Sequence, residues 1–211
     1  MNPKQQTYAI LAESVLGNFK KRGIDGYYCD TSAQAVEKAL QLMEPNSTIA
    51  YGGSETLKET GMIEALSHSS HHLILREQAV TKEEKKEIAR QTIVSDYFFM
   101  SSNAITLDGE LINMDGTGSR LCYLIYGPEH VIILAGMNKI VVDVETGIKR
   151  VKNVAAPPNG VRLNTQTPCA LTGHCNDCYS PGCMCCECVI TRKSRVPGRI
   201  KVILIGEELG Y

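Results

Sequence analysis

Residues 101–120 read SSNAITLDGELINMDGTGSR. Two apolar runs, 104–107 and 111–114, are separated by Asp108-Gly109 and so predict a β-hairpin. A two-residue Asp-Gly connection favours a type I′ turn, in which both central residues need a positive φ. Gly116-Thr117-Gly118 follows at once and leads into the apolar run 121–126, which predicts a turn opening a helix. Backbone N–H groups at such a start have no helical partner, and beside a small hydroxyl they form a cradle for an anion. The competing reading is an ordinary helix start, with Asp115 as its cap.

Outward from this stretch the pattern alternates helix and strand, as in an α/β domain with a mostly parallel sheet flanked by helices. Tyr8, Leu11, Val15 and Phe19 recur at helical spacing before Gly23, marking residues 1–24 as an amphipathic helix ahead of an α/β domain over 25–211. Strands are expected at 27–29, 48–51, 72–75, 97–101, 131–135 and 200–205. Between them, Thr31 or Ser32 opens one helix, Glu55 another, and Thr81 with Glu84 forms a capping box for a third. Residues 141–151 read as a further helix, Pro157-Pro158 as a breaker leading into a short helix or irregular crossing, and 169–188 as a cysteine-rich loop.

The 22 basic and 23 acidic residues leave no basic excess to follow a nucleic-acid backbone. The longest apolar runs are strand-sized, well short of the roughly 20 residues of a membrane-crossing helix. A cytoplasmic protein with neither nucleic acid nor membrane as partner is the expectation. The amphipathic first helix favours a homodimer, packed across a two-fold axis.

A resemblance sharpens this reading. Asn103-Ala104-Ile105-Thr106, Asp108-Gly109, Asn113-x-Asp115-Gly116-Thr117-Gly118, Tyr126-Gly127-Pro128 and Gly136-x-Asn138-Lys139-Ile140 resemble the LUD family, the domain of lactate-utilisation protein C. The likeness runs in order from Gly52-Gly53-Ser54 to Gly206-Glu207-x-Leu209-Gly210. It implies a NagB/RpiA/coenzyme A-transferase-like fold, a place in lactate or related organic-acid metabolism, and lactate-utilisation proteins as partners. Members of that fold group handle sugar phosphates or acyl-coenzyme A thioesters.

Ligands of open α/β sheets bind beyond the carboxyl ends of strands. Three loops there have suitable chemistry: Gly52, Gly53 and Ser54; the turn of Gly116, Thr117 and Gly118, with Asn103 and Asn113 beside it; and Asn138 with Lys139, the cation placed to neutralise a phosphate or carboxylate. Together they predict a pocket for a small anionic metabolite: a hydroxy acid, sugar phosphate or acyl-coenzyme A. Asp108 and Asp115 are the acid/base candidates. No nucleophile with a paired base stands out, so the sequence assigns no reaction.

Seven of the nine cysteines fall between 169 and 188. In a reducing compartment such spacing points to a metal or to redox chemistry rather than to structural disulfides. Cys175-x-x-Cys178 can chelate from a turn, and Cys169 and Cys185 can complete a tetrathiolate site for zinc or an iron–sulfur cluster. The same segment resembles the tail of the cysteine-bearing branch of the LUD family, with Cys183, Cys186 and Cys188 extra. An iron–sulfur electron-transfer or assembly subunit is therefore the alternative function.

Overall fold

The computed structural model describes residues 2–211. In chain order the elements are α1 Pro3–Lys21, β1 Asp25–Cys29, α2 Ser32–Gln41, β2 Thr48–Tyr51, α3 Glu55–Glu59, α4 Met62–Ser67, β3 His72–Ile74, α5 Lys82–Ile93, β4 Tyr97–Met100, β5 Ala104–Thr106 and β6 Leu111–Asp115. They continue with α6 Leu121–Ile125, β7 His130–Gly136, β8 Ile140–Val141, α7 Val144–Arg150, α8 Ala156–Arg162, α9 Pro168–Thr172, β9 Glu187–Thr191 and β10 Ile200–Ile205.

Six strands form one parallel sheet in the order β1-β10-β7-β4-β2-β3. Its central strands are buried on both faces, which is why 131–135 and 200–205 read as unbroken apolar runs. Side-chain alternation divides them between two cores. Phe98, Met100, Val131, Ile133, Val202 and Leu204 meet Ala12, Val15 and Phe19 of α1 and Leu121 and Leu124 of α6. Tyr97, Phe99, Ile132, Leu134, Ile203 and Ile205 meet Ala35 and Ala39 of α2 with Leu57, Met62 and Leu66 of α3 and α4. The domain is thus the expected α/β layering. The apolar stripe of α1, from which a two-fold contact was expected, is buried within the chain. Among the described residues no helix is long and apolar enough to cross a membrane.

The hairpin is present but its turn differs from the type I′ expectation. Gly109 has φ +86 and Asp108 is not in the left-handed region. Gly109 N–H donates to Thr106 O at 2.8 Å and Thr106 N–H to Glu110 O at 3.0 Å, so the loop is a turn over Leu107 and Asp108 closed by one left-handed glycine. Phe19 and Asn18 of α1 lie 3.0–3.4 Å from where a Cβ on Gly109 would stand, so the turn packs under that helix.

The hairpin is also not a free-standing insertion. It is the middle of a second sheet, β8-β5-β6-β9, whose last strand comes from the end of the cysteine-rich segment. That segment is therefore not all loop: it opens with α9 and ends in β9. Pro157 and Pro158 do not break the chain either. They sit in the first turn of α8, and residues Val151–Ala155 ahead of them widen into a π-turn, which accommodates the amide hydrogens the prolines lack. Residues 141–151 divide between β8 and α7, because Asp143 accepts from Thr146 N–H and starts the helix there.

Candidate functional site

A cleft of about 700 Å³ opens where β2 and β4 end and where the chain continues from β7 through Lys139. Gly53, Ser54 and Thr56 form one side, Ser101 to Asn103 the floor, Asp115 to Thr117 with Arg120 a second side, and Cys183 to Cys186 a third. The floor is polar because β4 passes from Met100 into two consecutive serines that the sheet keeps buried.

Lys139 reaches this cleft from inside the protein. Its residue is 4% exposed, and its ammonium donates to Thr56 Oγ1 at 2.8 Å and Ser101 Oγ at 3.0 Å. Burial, with Arg150 and Arg120 nearby, lowers its pKa to about 7, and Glu59 opposes this only in part. Both hydrogen-bond partners are hydroxyls rather than carboxylates, which leaves a buried cation without a paired counter-charge. A hydroxyl bonded to an amine that titrates near neutrality is also the arrangement in which lysine acts as a general base toward serine or threonine. This pair escaped the sequence reading because Ser101 and Lys139 lie on different strand ends, 38 residues apart.

Arg120 is the other residue the sequence reading missed, though it closes the quoted stretch. Its guanidinium donates to Ser101 O, Asn113 Oδ1, Asn103 Oδ1 and Met114 O at 2.9–3.2 Å, and lies 3.8 Å from Asp115. Burial pushes its pKa down while Asp115 holds it up. Arg76 and Arg162 add cations to the lining, the latter 3.3 Å from Glu55. Lys139 is thus not the lone cation of the site.

The structure brings Gly53, Ser54, Asn103, Asp115, Gly116, Thr117 and Lys139 to the cleft, with Cys185 in its wall, and leaves Gly52, Asp108, Asn113, Gly118 and Asn138 outside its lining. Gly52 lies behind, beneath the Arg120 side chain, which passes 3.0 Å from where its Cβ would be. Asn113 is wholly buried, accepting from Asn103 N–H and donating to Ser102 Oγ. Asn138 clips the chain end, its amide bonded to the N–H and C=O of Leu209. Asp108 sits in the hairpin turn, its backbone oxygen accepting from Arg22.

The turn of residues 116–118 is not a vacant anion cradle. Asp115 Oδ1 accepts from Gly116 and Thr117 N–H at 2.8 and 3.3 Å, and its Oδ2 from Arg120 N–H at 3.1 Å. The chain's own carboxylate satisfies those donors. The missing Cβ of Gly116 serves packing instead, since Met184 Cα lies 3.3 Å from its place.

Behind the cysteine wall lies a smaller cavity of about 70 Å³, bordered by Cys169, Cys175, Cys178, Cys183 and Cys185 with Lys152 and Asp177. All nine cysteines are unpaired. Burial and the neighbouring sulfurs of Cys183, Cys175 and Cys169 push Cys185 up to about 12. Among the described residues no three His, Cys, Asp or Glu side chains already converge as a metal site.

The parallel sheet flanked by helices is the fold the sequence resemblance anticipated. The LUD domain matches over residues 12–205, and the chain belongs to the LUD domain family, which relates it to lactate utilisation. The chain is similar in fold to the crystal structure of a DUF162 family protein from Deinococcus radiodurans, with a TM-score of 0.54 and 12% identity over 94% of this chain and 98% of that one. No curated protein matches.

Proposed function

We propose that this LUD-family chain binds a small anionic metabolite, a hydroxy acid, sugar phosphate or acyl-coenzyme A thioester, in the cleft at the ends of β2 and β4. The observation that carries the reading is Lys139. A buried ammonium held by two hydroxyls costs stability until a counter-charge arrives, and a ligand anion is the group that would supply it. Of the three ammonium hydrogens two are engaged, which leaves one donor for the ligand. The cleft volume, about 700 Å³, falls within the roughly 300–1,000 Å³ of small-molecule sites. Arg162 in its lining can take a further anionic oxygen, while Arg120, whose donors are all directed at protein acceptors, adds only its positive charge.

The experiment is a thermal-shift and calorimetric panel of inorganic phosphate, L-lactate and coenzyme A against the wild type and Lys139→Met. A ligand of the native state at a hundred times its Kd stabilises by about 2.7 kcal/mol. The expected result is stabilisation of the wild type by at least one probe, lost in the variant. No response of the wild type to any of them would overturn the reading.

A further inference from the structure

Three stretches of chain bring thiols to the small cavity behind the cleft. Cys169 comes from the first turn of α9, its sulfur 3.3 Å from Thr167 Oγ1. After Gly173, at φ +79, the chain passes Cys175 and Cys178 on a tight turn in which Asp177 takes φ +49. The Asp177 N–H donates to Cys175 Sγ at 3.3 Å. Cys183 and Cys185 arrive from the next turn, closed by Cys183 N–H on Ser180 O at 2.9 Å. Cys186 and Cys188 are exposed and lie off the cavity.

We propose that Cys169, Cys175, Cys178 and Cys185 bind one thiophilic divalent cation of the zinc class, and that this ion orders the wall the cysteine segment contributes to the cleft. The volume of about 70 Å³ suits a single ion with thiolates at about 2.3 Å, against about 30 Å³ for one water. The sulfurs do not share a centre in their present positions, so binding requires these side chains to rotate toward one another within the cavity. Cys185 takes the fourth place over Cys183 because it is packed against the apolar cluster of Met114, Val151 and Ala155, where attraction between thiolate and cation is least screened.

The link to the cleft is structural. Ala156, Cys183, Met184 and Cys185 line both spaces, and Cys186 N–H donates to Asp115 O at 3.0 Å. An ion that pins these residues pins that part of the cleft lining. This second half rests on the anion-cleft reading, and the metal site does not.

The test titrates the reduced, metal-free full chain with cobalt(II) and then zinc(II). One equivalent of cobalt is expected to give sulfur-to-cobalt charge-transfer absorption with the intense visible bands of tetrahedral thiolate coordination, displaced by zinc. Zinc is expected to protect four thiols from Ellman's reagent. Cys175→Ser with Cys178→Ser abolishes the spectrum and Cys183→Ser keeps it. If the double variant does not fold, the thiol count in the wild type decides. Absence of the charge-transfer band, a spectrum unchanged in the folded double variant, or iron with acid-labile sulfide in anaerobically purified protein each overturns the mononuclear site. Thermal shifts by inorganic phosphate, with and without zinc, test the coupling. A larger shift with zinc supports it, and equal shifts remove the coupling while the metal site stands. No phosphate response in either state, with lactate and coenzyme A also silent, removes the cleft reading and leaves the metal site standing.

Discussion

Replacing Lys139 by methionine isolates the cost of one buried ammonium. The lysine titrates near 7 in the folded chain against an ordinary 10.5, mainly through burial. Below about 7 both folded and unfolded chains hold the proton, and the folded state bears the whole penalty. At higher pH the folded chain releases the proton while the unfolded chain retains it up to its ordinary value, so stability rises with pH through that window. One pKa unit is worth about 1.4 kcal/mol, which bounds the full penalty at about 5 kcal/mol and the part recovered between about pH 6 and about pH 9.5 at about 3 kcal/mol. Methionine has no such titration. The lost bonds to Thr56 and Ser101 shift its stability by an amount independent of pH in this range. Urea denaturation of both proteins, followed by circular dichroism at several pH values, should therefore show the wild type gaining about 3 kcal/mol on the variant from pH 6 to pH 9.5. A bound phosphate would keep the lysine protonated and flatten that slope. Parallel stability curves for the two proteins without ligand would refute the uncompensated cation, and with it the reason for assigning an anion to the cleft.

Arg120→Met removes one donor from each of the oxygens of Asn103, Asn113, Ser101 and Met114 and should lower the unfolding free energy by about 3 kcal/mol or more, with Arg120→Lys unable to restore it because one ammonium cannot span the same fork. Urea midpoints of the two variants measure this. Asp115→Ala should cost about 1–3 kcal/mol, since three backbone N–H groups lose their acceptor, and should raise the thermal response to sulfate by opening the turn that the carboxylate fills. An unaltered sulfate response would refute the second part. Gly136→Ala places a Cβ 2.7 Å from Glu207 O and 2.8 Å from Leu209 N, a backbone collision expected to cost about 2 kcal/mol or more, whereas Gly53→Ala meets nothing within 4 Å and should change stability by no more than about 0.5 kcal/mol. Equal melting temperatures for the two glycine variants would contradict that contrast.

Local chemistry made much of the fold readable. Thr31, Ser54 and Thr81 each cap a helix through their own hydroxyl, within three residues of the N–H they satisfy. Continuous apolar runs such as 131–135 imply strands covered on both faces, and one such run is enough to state it. The loops bearing Ser54, Thr117 and Lys139 could be named in advance because glycine and small polar residues mark strand ends.

What distant parts of the chain do to one another was not written locally. Asp115 reads equally as an acid, a cap or a ligand until the turn folds around its carboxylate and uses it up. Asn113 and Asn138 look like ligand amides until packing turns each toward a buried partner. The π-turn that admits Pro157 and Pro158, and the pairing of β9 with β6, depend on neighbours that composition does not reveal. Lys139 shows the division most clearly. Sequence alone places a lysine after a strand, but its pKa near 7 comes from desolvation and from Arg150 and Arg120, charges that only the folded chain brings beside it.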